Sequence, residues 1–296
     1  MTNSRPSACN KINDDKEEVP LNANTAKTAD TKTIDQFLAE NPNVDVSKAW
    51  ERSWNILTDI KDKIAARFPN IALDPTCEGR EYYTSPNGEF EGSYKSWTGE
   101  GVEWLVSSWL GNRKASILDM NATAFLGQET DVPHFIMVFG TIPKLFFYFD
   151  LVPRKDLRTN PGYLEKYYGG EANEDFLALR GHEDFQWSVS HGTYMRALLS
   201  PSALSLSADL NDANIDVLEE YAYKFLNRWL GWLDNATPTP ESERVAQQQY
   251  DHTVRRLGYE LDPMNKLAAQ VFGEDQVERM IQMRLGDEQM KKTRKY

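Results

Sequence analysis

Residues 102–152 read VEWLVSSWLGNRKASILDMNATAFLGQETDVPHFIMVFGTIPKLFFYFDLV, and this run decides the fold. Four strand-like segments, 102–110, 115–125, 134–139 and 145–152, are divided by short breakers such as Gly111-Asn112 and Thr141-Ile142-Pro143. Short connections join antiparallel neighbours, because parallel strands need long crossovers. Upstream, Tyr82-Tyr83, then Pro86-Asn87-Gly88, then residues 90–97 read as a hairpin around an Asn-Gly turn. The middle of the chain is therefore expected to form an antiparallel meander of five or six strands.

Helical spacing flanks this block. Trp50, Trp54, Leu57, Ile60 and Ile64 recur at steps of three and four, and Phe68-Pro69-Asn70 ends that pattern. After the meander, Asn160-Pro161 places proline at a helix entry, and Tyr163-Leu164 and Tyr167-Tyr168 share a face. Further helices are expected over 193–199, 215–233, 241–256 and 276–284. Helices before and after one antiparallel sheet predict an α/β fold. Its form is a three-layer α/β/α sandwich with the sheet in the middle.

Residues 1–33 carry almost no large apolar side chains and read as a disordered tail without a signal-peptide core. Residues 34–288 read as a single domain, and 289–296 as a basic tail. The net charge of −12 disfavours nucleic acid and anionic membrane surfaces. No apolar run is long enough for a membrane span. Cys9 and Cys77 make neither a metal pattern nor a disulfide framework, and the four histidines are scattered, so no metal site is expected. The chain reads as cytoplasmic, or as a plastid stromal protein in a plant or alga. Eight Trp, thirteen Phe and thirteen Tyr supply either core or the walls of a site for a planar guest.

The stretch Phe149-Asp150-Leu151-Val152-Pro153-Arg154-Lys155-Asp156-Leu157, followed by Asn160-Pro161, Tyr163-Leu164 and Tyr167-Tyr168, resembles the signature block of red chlorophyll catabolite reductases. Four more blocks fall in the same order. They are Met120-Asn121-Ala122-Thr123, Pro133-His134-Phe135, Tyr194-Met195-Arg196-Ala197 with Ser200-Pro201, and Val271-Phe272-Gly273-Glu274. The resemblance implies reduction of an open-chain tetrapyrrole without a tightly bound flavin or metal. Reduced ferredoxin would deliver single electrons, and the protein would supply protons. A homodimer is compatible with it.

Such chemistry needs a proton donor. His134 is the first candidate. It shares a strand face with Ile136 and Val138, both expected to line the substrate. The resemblance implies an acid at position 138, where this chain has valine. Asp262 is the second candidate, and also a natural helix cap ahead of Pro263. For substrate binding, Asn121 offers an amide to lactam groups, and His191 and Tyr194 share a helix face. Arg154, Lys155, Arg158 and Arg196 are candidates to grip carboxylates, with Arg154 also the expected partner of Asp150. His182 and His252 are assigned to the surface. An acidic donor such as ferredoxin needs a local basic patch on this acidic chain, and Lys144, Arg154, Lys155, Arg158 or residues 291–295 are the candidates. Two other readings stand beside this one: the same fold acting on a different planar substrate, and a pigment-binding protein without turnover.

Overall fold

The computed structural model describes residues 46–286 except Pro143 and His191. The expectations for residues 1–33 and 289–296, and for His191, lie outside the described residues. All described strands join one antiparallel sheet. The meander runs β3 (Glu91–Gly99), β4 (Val102–Asn112), β5 (Ile117–Leu126), β6 (His134–Ile142) and β7 (Lys144–Val152). The short strands β1 (Ala72–Leu73) and β2 (Tyr82–Thr84) both pair with β3. At the far edge β9 (Leu204–Ala208) pairs with β7, and β8 (Gln186–Trp187) pairs with β9. The sheet is thus wider than the expected five or six strands, because the chain returns to it after the helices that follow β7.

Strand parity divides the molecule. In β5, Leu118, Met120, Ala122 and Ala124 are fully buried on one face. In β6 the same face carries Phe135, Met137 and Phe139, and in β7 it carries Leu145, Phe147, Phe149 and Leu151. Helix α1 (Ser47–Ala65) covers this face with Trp50, Ile56, Leu57, Ile60 and Ile64, as its apolar stripe predicts. Beyond α2 (Pro161–Tyr168) and α3 (Gly170–Arg180), the 23-residue α5 (Asp212–Asp234) completes the layer. Phe149 stacks on Phe225 with ring centres 4.2 Å apart. The indole N–H groups, costly if left unpaired in such a core, are satisfied. Trp50 donates to Thr141 Oγ1 at 3.1 Å, and Trp229 donates to Pro133 O at 2.8 Å. Each fully buried Phe contributes about 1.5–3 kcal/mol relative to exposure.

The opposite face is covered by α4 (Thr193–Leu198), α6 (Glu241–Glu260), α7 (Met264–Phe272) and α8 (Glu274–Leu285). Tyr83, Tyr94, Trp104, Val106 and Phe125 pack there against Phe272, Val277, Met280 and Ile281. The three layers are those expected from the sequence.

Candidate active site

Under α4, α6 and α8 the second face of β4–β7 opens into a cleft of about 320 Å³. This lies at the lower end of the range for small-molecule sites. Strand parity sends Asp119, Asn121 and Thr123 of β5, Ile136 and Val138 of β6, and Phe146, Tyr148 and Asp150 of β7 into it. The helices supply Met195, Leu198, Val254, Arg255, Tyr259 and Arg284, and Asp262 stands between α6 and α7. A second recess of about 240 Å³, walled by Trp187 and Ala203, shares Phe146, Tyr148, Ser190 and Leu199 with the cleft.

Register fixes the reactive groups. Val138 pairs with Asn121 on one side and Tyr148 on the other. Asp119 and Asp150 lie two residues along those neighbouring strands, on the same face, about 7–8 Å diagonally from Val138. Asp150 is 1 % exposed. Burial raises its pKa to about 6, against the opposing hydrogen bonds from Ser200 and Tyr148. The Ser200 N–H reaches both carboxyl oxygens at 3.4 Å, and the Tyr148 hydroxyl donates to Oδ2 at 3.2 Å. Asp119 is also raised to about 6 by desolvation, with Arg284 opposing the rise and Asp262 adding to it. Two carboxyls that hold protons near neutral pH therefore face one cleft.

The expected residues separate into two groups. Asn121, Ile136, Val138 and Asp262 line the cleft. Asn121 donates to Ser108 Oγ at 2.5 Å, and Asp262, one residue ahead of the Pro263 cap of α7, accepts the Met264 N–H at 2.9 Å while it lines the cleft. His134 lies outside the lining. Phe125 stands edge-on to it, with ring centres 5.1 Å apart. Its Nδ1 accepts the Leu126 N–H at 3.0 Å, which leaves the proton of the neutral ring on Nε2, 3.3 Å from Asp251 Oδ1. Burial is the larger influence and holds this imidazole below the ordinary histidine value.

Arg154 corrects two expectations. It neither pairs with Asp150 nor reaches the cleft. It donates to Asp251 through Nε at 3.0 Å and a terminal nitrogen at 2.6 Å. It also donates to the carbonyls of Thr130 and Gly127 at 2.6 and 2.9 Å. The cause is chain direction: Pro153 ends the strand, and the next side chain turns under α6. Burial penalises the Asp251 charge, but His134 and Arg154 outweigh it and hold the carboxyl below the usual range.

Tyr194 and Arg196 also stand away from the cleft. The turn of α4 that faces it presents Met195 and Leu198. Arg196 is exposed and donates to the Ser190 carbonyl at 2.9 Å. His252, assigned to the surface, is instead mostly covered, with Nε2 2.7 Å from Glu103. The expected basic patch is neutralised among the described residues: Lys144 pairs with Asp209, Lys155 with Asp131 and Arg158 with Asp156.

A pKa raised in the fold means that folding favours the neutral carboxyl. For Asp119 that stability is full below about pH 4 and is lost as pH rises through about 6. Asp119→Asn is expected to raise stability at about pH 8 and leave it unchanged at about pH 4. After discounting for water in the cleft, the gain is on the order of 1–2 kcal/mol. Urea unfolding at the two pH values measures it. An equal effect at both would remove the desolvated carboxyl as its cause.

No helix among the described residues is long and apolar enough to cross a membrane, and no cluster of metal-ligating side chains occurs among them. In fold the chain is similar to the crystal structure of phytochromobilin synthase from tomato in complex with biliverdin. The TM-score is 0.67 at 18% identity, over 79% of this chain and 83% of that one. In sequence it is 32% identical to red chlorophyll catabolite reductase of Hordeum vulgare over 168 residues, 53% of this chain and 82% of the relative. It is 24% identical to the chloroplastic red chlorophyll catabolite reductase of Arabidopsis thaliana over 246 residues, 77% of this chain and 76% of the relative. The family model for red chlorophyll catabolite reductase (RCC reductase) matches residues 53–284, which hold every described side chain of the cleft, and the chain belongs to that family of reductases.

Proposed function

We propose that this protein reduces an open-chain tetrapyrrole bound in the cleft. The observation that carries the reading is the pair of carboxyls, Asp119 and Asp150, raised to about 6 and placed either side of Val138 under aromatic walls. Family membership supports it, and so does the biliverdin bound by the tomato protein of the same fold. The guest itself accepts the electrons, delivered singly by a small protein donor such as reduced ferredoxin. Each two-electron step consumes two protons. Asp150 and Asp119 hold one each, close to the pH where a general acid works best. Asp262 lines the same cleft as a third carboxyl facing the guest. His134, behind Phe125, keeps the wall in place. The adjoining recess suits an elongated guest better than a compact one. A plastid location fits this reading, since the Arabidopsis relative carries it in its name.

The test is an anaerobic assay with reduced ferredoxin and biliverdin, or a red chlorophyll catabolite, followed by absorbance. Loss of the conjugated band with stoichiometric ferredoxin oxidation is the expected result. A second reading, a pigment carrier without turnover, draws on the valine at position 138. Tight binding of these pigments with no spectral change under reduction would select the carrier, and no binding would remove both.

A further inference from the structure

Arg284, on the last turn of α8, lines the cleft, yet among the described residues no carboxylate lies within ion-pair distance and no hydrogen bond engages it. The guanidinium sits 5.5 Å from the ring of Tyr259 and 5.9 Å from that of Tyr94. These aromatic faces offset part of the cost of removing the charge from water. They supply no anion. The other arginines of this region are engaged. Arg154 is bound to Asp251, and Arg255 donates to the Leu285 carbonyl at 3.2 Å with Glu103 3.7 Å away. The Arg255 bond also pins the helix end that carries Arg284. Tyr259 lines the same wall, and its hydroxyl makes no hydrogen bond among the described residues. The acidic side chains of the cleft, Asp119, Asp150 and Asp262, offer an anion no cation over the remainder of its surface.

We infer that Arg284, with the Tyr259 hydroxyl, forms a carboxylate subsite that binds an anionic side arm of the guest and so fixes which way it lies over the sheet. The inference rests on the reading of the cleft as the substrate site. A guanidinium grips a carboxylate through two parallel N–H donors, a geometry that an ammonium cannot copy. The aspartates make the choice directional, because a guest entering reversed would set its carboxylate among acidic side chains with no cation to pair it.

The experiment compares biliverdin, which carries two carboxylates, with its dimethyl ester, by absorbance titration of the full chain. The unaltered protein is expected to bind the acid about tenfold or more tightly than the ester. Arg284→Met is expected to abolish that preference by weakening only the acid, Arg284→Lys to restore part of it, and Tyr259→Phe to reduce it. Damage to packing alone weakens acid and ester together. Equal affinities in the unaltered protein, or an equal loss for both guests in Arg284→Met, would overturn the subsite. Binding of neither guest would instead count against the tetrapyrrole reading. The subsite is then decided with pyrenebutyrate against its primary amide, where an Arg284-dependent preference for the acid upholds it and equal affinity overturns it.

Discussion

Asp150→Asn is expected to lower turnover of a bound open-chain tetrapyrrole by about 10²- to 10⁴-fold, the usual contribution of a positioned general acid. Binding should change little. The amide has the same shape and still accepts the Ser200 N–H that now holds the carboxyl. What it lacks is a titratable proton. The same argument sets the pH profile. A donor with a pKa of about 6 is progressively lost as pH rises, so turnover should fall about tenfold per unit above that value. Asp119→Asn should act in the same direction, and the comparison separates the two carboxyls. Single-turnover absorbance at saturating guest is the measurement. If turnover survives in both variants and in their combination, protons reach the guest by a different route.

The largest expected effect on stability is at Arg154. Arg154→Met should cost about 3–5 kcal/mol, because it leaves a buried carboxylate, Asp251, without its cation. Two backbone carbonyls, those of Gly127 and Thr130, lose donors at the same time, although Gln247 still reaches Thr130 at 2.7 Å. The hold of α6 on the β5–β6 connection would thus be reduced to the Gln247 bond. Urea unfolding gives the loss, and Arg154→Met combined with Asp251→Leu should recover much of it, since the stranded charge is then gone. If the single variant unfolded at the same urea concentration as the parent, the buried pair would not anchor α6.

Much of the fold was legible from alternation. Strands β4–β7 have a period of two and are separated by Gly, Asn or Pro, so both their existence and their antiparallel pairing follow from local chemistry. Strand β9 was not legible. Five residues beside Ser200-Pro201 carry too short a pattern, and only pairing with β7 makes them a strand. Helix α3 went unseen for a related reason: its buried positions are Ala172, Asp175 and Leu179, and an aspartate does not mark an apolar stripe.

Candidate site residues on the strands were readable by the same parity. Asn121, Ile136 and Val138 share the cleft with Asp119, Tyr148 and Asp150 because all lie on one face. Proximity in sequence misled at Asp150. Arg154 is four residues away, but a proline and a change of direction separate them, and Arg154 finds its acid 97 residues downstream. Arg255, Tyr259 and Arg284 were invisible because a helix has no preferred face toward a ligand until it docks. Nothing in the composition of α6 or α8 tells which of their polar residues will look inward.

The two-faced sheet limits how this protein can diversify. Insertion or deletion of one residue within β5, β6 or β7 would exchange every core side chain of that strand for one facing the guest. Phe149, stacked on Phe225, would trade places with its neighbour Asp150. Drift in chain length is therefore barred from the strands, and new specificities must arise by replacement at fixed positions or by remodelling the helices above, where no strand register is at stake.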